Sequence, residues 1–184
     1  MKTDPLRVAA LLAYLISWVV LAITALVSAL PRLRTEPSAA SMTLQALIGM
    51  MAQACALVAI VLPAKDEPLR PVQAELAGVL LLAPLAALLF VWAQLSAPRM
   101  ERGLVTSGAY SQLRHPIYLA FLLLLIATGL LVSSRVWMVL PVLLYVAGTE
   151  LRVASEETEL ARRFPEPFAE YRRRTRWRYL PGLR

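Results

Sequence analysis

The chain has 184 residues, 59% of them hydrophobic, with a mean hydropathy of +0.62 and 19 Lys+Arg against 12 Asp+Glu. Soluble domains run nearer roughly 45–50% apolar, and the excess here lies in long charge-free blocks, so an ordinary soluble fold is excluded in favour of an integral membrane protein. The basic excess points to membrane topology and anionic lipid; nucleic acid is disfavoured, because no nucleic-acid motif accompanies the charge.

The first apolar block is Val8 to Leu30, 23 uncharged residues after Arg7. A helix needs roughly 20 to span a hydrocarbon core. The block is too long for the apolar part of a signal peptide and lacks a clear cleavage site. A polar turn follows from Pro31 to Pro37. The second block predicts a helix from near Ser41, where a hydroxyl can cap, to near Pro63. Gly49, Ala52 and Ala56 on it permit close helix packing. Cys55, the only cysteine, reads as a small buried hydrophobe and rules out an intrachain disulfide.

A loop from Lys65 to Pro71 leads to the third block, Leu76 to Pro98, in which Pro84 is expected to kink the helix. Gln94 is polar near its end. Next comes the one polar-aromatic run among the apolar blocks, LVTSGAYSQLRHPIY from Leu104 to Tyr118, which holds the only histidine, His115. Two shorter apolar pieces follow, Pro116 to Ser134 and Val136 to Thr149, separated by Arg135. They predict a helical hairpin that returns to the side it left.

The tail is helical from Glu150. Arg152, Glu156, Glu159 and Arg163 share one face, and Val153, Leu160 and Phe164 another. Pro165 and Pro167 are expected to end this helix. The basic segment beyond carries Tyr171, Trp177 and Tyr179, which read as headgroup-level anchors. The predicted fold is therefore an all-α membrane domain over residues 1–184 with about five spans. Two lie within 1–72; the third, the hairpin, a cytoplasmic amphipathic helix and the basic tail occupy 73–184.

Charge fixes the expected orientation. With five spans, the 31–37 turn, the 99–114 loop and the tail share one side and hold 14 of the 19 basic residues. The positive-inside rule puts that side in the cytoplasm and the N-terminus outside.

Several chemistries are excluded. The seven glycines form no GxGxxG and no P-loop. There is no HExxH or GxSxG, and one histidine with one cysteine builds no metal centre.

What is present is Gly108-x-Tyr110, Arg114-His115-Pro116-x-Tyr118, Arg152-x-x-x-Glu156-Glu157 and Tyr171. Over roughly Gln94 to Pro181 this pattern resembles the isoprenylcysteine carboxyl methyltransferase family, part of a wider set of membrane methyltransferases that includes phospholipid N-methyltransferases. The resemblance implies S-adenosylmethionine as methyl donor. It implies a donor pocket lined by Arg102, Gly103, Leu104, Val105, Tyr110, His115, Pro116, Ile117, Tyr118 and Glu156, with Gln94 as an upstream contact. It places Arg152 at the acceptor, an amphiphile such as an isoprenylcysteine carboxylate or a related lipid. Pro165 departs from the family, which often has glycine there. Two other readings stand beside this one. They are a nicotinamide-dependent membrane reductase of the sterol-reductase type and a lipid-binding protein without catalysis.

Overall fold

The computed structural model describes residues 4–29, 44–62, 72–97, 103–132 and 135–182. Among them there are seven helices and no strand. Helix α1 is Pro5–Ala29, α2 Leu44–Ala59, α3 Gln73–Ser96, α4 Ala109–Gln112, α5 Pro116–Val132, α6 Arg135–Arg163 and α7 Pro165–Arg174. The 31–37 turn, the 65–71 loop and Arg102 lie outside the described residues.

Three helices, α1, α3 and α6, are long and apolar enough to cross a membrane, and α2 and α5 are shorter apolar helices. Their outer faces carry Ile16, Leu26, Leu81, Leu88 and Leu143, each exposed. An apolar exterior on this scale suits lipid rather than water as the surrounding solvent.

The bundle is a row. Helix α3 packs between α1 and α5, α5 packs on α6, and α6 packs on α2. Leu21, Ala83, Ala86, Phe90, Ala120 and Leu124 fill the α1–α3–α5 seam. Ala56, Ile60, Leu122, Leu125 and Tyr145 fill the α2–α5–α6 seam. Small residues dominate the contacts because lipid gives helices no hydrophobic reason to associate, and close backbone approach must supply the attraction.

The closest crossing is α2 on α6. A Cβ at Gly148 would lie 2.7 Å from the Gly49 carbonyl oxygen, and one at Gly49 would lie 2.6 Å from that of Gly148. Gly49 and Ala56 therefore do pack as their size suggested, whereas Cys55 is exposed on α2, not buried. Helix α3 continues through Pro84.

Two elements differ from expectation. The hairpin's return arm and the tail helix are one continuous helix of 29 residues, α6. Its apolar half ends at Thr149, but Glu, Leu, Arg and Ala all favour helix, so the backbone has no reason to break where the composition changes. Pro165 does end α6, but it also begins α7 at its first position, where a missing N–H costs nothing.

The α2–α6 crossing generates the first prediction. Gly148→Leu overpacks it and lowers stability by about 1–3 kcal/mol, read as a fall in melting temperature of the detergent-solubilised protein. Gly103→Ala, where an added Cβ meets nothing within 4 Å, leaves it unchanged. Equal melting temperatures for the two variants would contradict the crossing.

Candidate functional site

The polar run is held from both sides. Gly108 has φ of 60°, and its hydrogen faces Ser96, whose Oγ would sit 2.1 Å from a Cβ there. Ser96 Oγ accepts from the Ala109 amide at 3.0 Å and donates to the Trp92 carbonyl at 2.7 Å, joining the end of α3 to the start of α4. On the other side the tail lies along the run like a short strand. The amides of Arg114 and His115 donate to the carbonyls of Trp177 and Arg178 at 3.0 and 2.8 Å. Those two backbone donors beside Pro116 are thus taken by the tail.

Two of the three tail aromatics, Tyr171 and Tyr179, turn inward instead of serving as headgroup anchors, while Trp177 is half-buried. Tyr171 and Tyr179 are 6% and 0% exposed. The Tyr171 hydroxyl donates to the Tyr110 carbonyl at 2.7 Å, and that of Tyr179 to Glu150 Oε1 at 2.7 Å. Burial raises the pKa of both phenols, so both remain donors. Arg178 closes the same corner through Glu150 at 2.8 Å.

At the centre, α6 presents two successive carboxylates to the Arg-His-Pro turn. Glu157 is buried and pairs with Arg114 Nε at 2.7 Å, while Arg114 NH1 donates to the carbonyls of Thr175 and Arg176 at 2.7 and 2.8 Å. Glu156 faces the other way along the ring. Its Oε2 lies 3.4 Å from His115 Nδ1, and its Oε1 accepts from the Tyr118 hydroxyl and, at 3.3 Å, from Arg152 NH2. Arg152 in turn lies over the Tyr118 ring at 5.1 Å and donates from NH1 to Gln53 Oε1 at 3.2 Å. Gln53, on α2, is fixed by its Nε2 donating to Thr149 Oγ1 at 2.8 Å.

These side chains border a cavity of about 700 Å³. Gln94 of α3, then Gly103, Leu104, Val105 and Tyr110 line one side, and His115, Pro116, Ile117 and Tyr118 line the floor. Arg152, Glu156, Leu160 and Tyr171 line the other side, and Met50, Gln53, Ala54 and Leu57 of α2 close it with Phe90 and Phe121. Every residue expected at the donor pocket or the acceptor therefore lines this one cavity, except Arg102, which lies outside the described residues. Sequence reasoning missed Gln53, Arg114 as the partner of Glu157, Tyr145 and the inward role of Tyr171. Gln53 had a signal, as the one amide among apolar residues in mid-helix. Tyr145, whose hydroxyl donates to the Tyr118 carbonyl at 3.1 Å, had none.

Burial works against a charged imidazole, but the carboxylates of Glu156 and Glu157 outweigh it and raise the His115 pKa above 6.5.

The arrangement is that of a helical membrane protein with a charged, aromatic-lined chamber at one end of its bundle. Residues 74–162, from α3 to the end of α6, match the isoprenylcysteine carboxyl methyltransferase (ICMT) family. Through this segment the chain is similar to that family. A curated relative, the cobalt-zinc-cadmium resistance protein CzcN of Cupriavidus metallidurans, is 39% identical over 77 residues, which is 42% of this chain and 35% of the relative. The chain thus matches about a third of that protein's length. Helix α2, with Gln53, and the tail from Arg163 lie outside the family segment.

Two predictions follow from this geometry. The single histidine gives one imidazole NMR titration, with a midpoint above 6.5 that falls in Glu156→Gln; a midpoint at or below 6.5 would contradict the ion cluster. Because the folded-state pKa lies above the unfolded one, the stability this ring contributes is complete below pH 6.5 and is lost as pH rises through the raised value. Separately, Gln53→Ala frees one edge of Arg152 and leaves Thr149 without its donor, costing about 1–3 kcal/mol of stability as a buried hydrogen-bond pair is broken. Thermal unfolding indistinguishable from wild type would show that the α2 contact contributes nothing.

Proposed function

We propose that this protein is an S-adenosylmethionine-dependent methyltransferase acting on an amphiphilic acceptor at the membrane surface. The observation that carries the reading is the meeting of Glu156 with His115, both within the matched segment, across 3.4 Å on the wall of one cavity. Its volume of about 700 Å³ suits a small-molecule site, which typically measures roughly 300–1,000 Å³.

The side chains present fit the donor. Each carboxylate oxygen has two acceptor positions. Oε1 of Glu156 uses both, for Tyr118 and Arg152, but Oε2 faces only His115 among the described residues and keeps one for an ammonium. The buried Nε2 of His115 makes no hydrogen bond among the described residues but lies 3.5 Å from Glu157 Oε1, so the ring is held between the two carboxylates. The Tyr110, Tyr118 and Tyr171 rings offer faces to an adenine or a sulfonium. The bound donor supplies a methyl group on a sulfonium, which an acceptor oxygen or nitrogen takes by direct displacement.

The chain's own contribution is alignment and exclusion of water. Arg152 spends two of its five N–H groups on Gln53 and Glu156. The remaining donors suit a planar carboxylate, and clamping the guanidinium from both sides fixes the angle at which it presents them. A carboxylate acceptor is ionised at pH 7 and needs no base. The apolar wall of Met50, Ala54, Leu57, Phe90 and Phe121 suits the hydrocarbon part of such an acceptor, an isoprenylcysteine carboxylate or a related lipid. With α2 and α5 crossing along with the three longer helices, the chamber and the basic tail face the cytoplasm, where anionic lipid headgroups lie.

The name of the curated relative raises metal binding. Among the described residues no group of three or more His, Cys, Asp and Glu stands ready to hold an ion. His115, Glu156 and Glu157 are committed to one another and to Arg114, Arg152 and Tyr118.

Calorimetry on the purified full-length protein in nanodiscs tests the reading. S-adenosylmethionine binds, NADPH does not, and Glu156→Gln and His115→Ala each weaken donor binding about tenfold, or 1.4 kcal/mol. Arg152→Lys lowers methyl transfer to a carboxylate amphiphile more than it lowers donor affinity. Unchanged donor affinity in both Glu156→Gln and His115→Ala, or binding of NADPH in place of the donor, would overturn the assignment.

A further inference from the structure

A second concavity, of about 550 Å³, lies on the other side of Arg114 and is lined by Arg114, Arg172, Arg173 and Arg176. Four guanidinium groups around one hollow repel one another unless something negative sits among them. The fold brings them together deliberately. Arg172 and Arg173 come from the last turn of α7, and Arg176 from the first residues after it. Arg114 comes from the polar run, more than fifty positions earlier in the chain.

The local carboxylates do not neutralise the hollow. Glu157 pairs with Arg114 from the α6 side, and Glu170 pairs with Arg173 and Arg174. Neither Arg172 nor Arg176 has a carboxylate partner among the described residues. Arg172 instead lies over the Phe168 ring at 5.9 Å, and Phe168 is buried, so this arginine is braced rather than free in solvent. The second observation is inside the wall. Arg114 is only 5% exposed, its Nε and NH1 are fully engaged, and its NH2 has no hydrogen-bond partner among the described residues. A buried guanidinium nitrogen without an acceptor is costly, and Arg114 is itself one of the residues that line the hollow.

We infer that this four-arginine hollow is a binding site for a phosphate group, separate from the methyl-donor cavity. A phosphate presents three or more strong acceptor oxygens and at least one negative charge, which planar, bidentate arginines match best. The group comes either from an anionic lipid headgroup or from a free phosphate. Arg114 borders both cavities, and its NH1 holds the Thr175 and Arg176 carbonyls. A phosphate gripped here therefore holds the tail against the rim of the larger chamber.

The test uses the full-length protein in phosphatidylcholine nanodiscs, with two probes. One is inorganic phosphate, followed by calorimetry. The other is phosphatidic acid at a few mole per cent, followed by native mass spectrometry of the retained lipid. Arg114 is left intact, because its loss would strand Glu157. The variant is Arg172→Lys with Arg176→Lys, which keeps both charges and removes the forked donors. The control is Arg162→Lys with Arg163→Lys, a pair held by the exposed Glu159 away from the hollow. Binding of either probe that falls about tenfold in the hollow variant and not in the control supports the site, and the probe that responds identifies the source. Equal binding in wild type, hollow variant and control, or an equal fall in both variants, means a diffuse basic surface and overturns it. No binding of either probe to the wild type overturns it as well. S-adenosylmethionine affinity, measured alongside, is retained in the hollow variant and certifies that it is folded.

Discussion

The structure depends on the pairing of a two-carboxylate step on α6 with the Arg-His turn before α5. Ions taken out of water cost several kcal/mol each unless they are matched by opposite charge and hydrogen bonds. Glu157 and Arg114 meet most of that demand, as a buried pair whose guanidinium also carries two tail carbonyls. Glu156, one position earlier, lies some 100° around the helix and meets His115, Tyr118 and Arg152 at the cavity wall. One carboxylate holds the fold and its neighbour faces the cavity. Such a pair tolerates neither slippage of α6 nor loss of the tail, since either would leave a buried charge alone.

Everything else positions that pairing. The Gly49–Gly148 contact sets how closely α2 lies on α6: Arg152 packs against Gly49 and Gln53 against Gly148, and their long side chains reach each other across the crossing. Gly108 and Ser96 tie the run to the end of α3. The length of α6, about 44 Å at 1.5 Å per residue, exceeds a hydrocarbon core of roughly 30 Å. A single rigid rod can thus cross the apolar layer and still carry its carboxylates past it.

Much of this was legible in the sequence, for physical reasons. Charge-free blocks of the right length announce helices because a bilayer permits little else, and the apolar helices lie where those blocks lie. The run from Leu104 to Tyr118 stood out because nothing in it suits lipid. The misreadings share a cause: a local cue was read without its partner. Pro165 stops one helix and starts another, and only the second fact explains how Tyr171 turns inward. Tyr171 and Tyr179 amid arginines look interfacial until Glu150 and the Tyr110 carbonyl are seen opposite their hydroxyls. Gln53 stands out in α2 as a mid-helix amide, but its purpose shows only when Arg152, ninety-nine positions away, is beside it. Long-range pairings of this kind leave no periodicity to read.

The account stands on contact between His115 and Glu156, and a double-mutant cycle measures that contact directly. Unfolding free energies would be compared at pH 6 for wild type, His115→Gln, Glu156→Gln and the double variant, all without ligand. A coupling energy of about 1 kcal/mol or more is the predicted result, because the charged ring and the carboxylate stabilise each other only when both are present. Effects that add to within about 0.3–0.5 kcal/mol would mean that the turn and the helix do not touch, and would contradict the shared site.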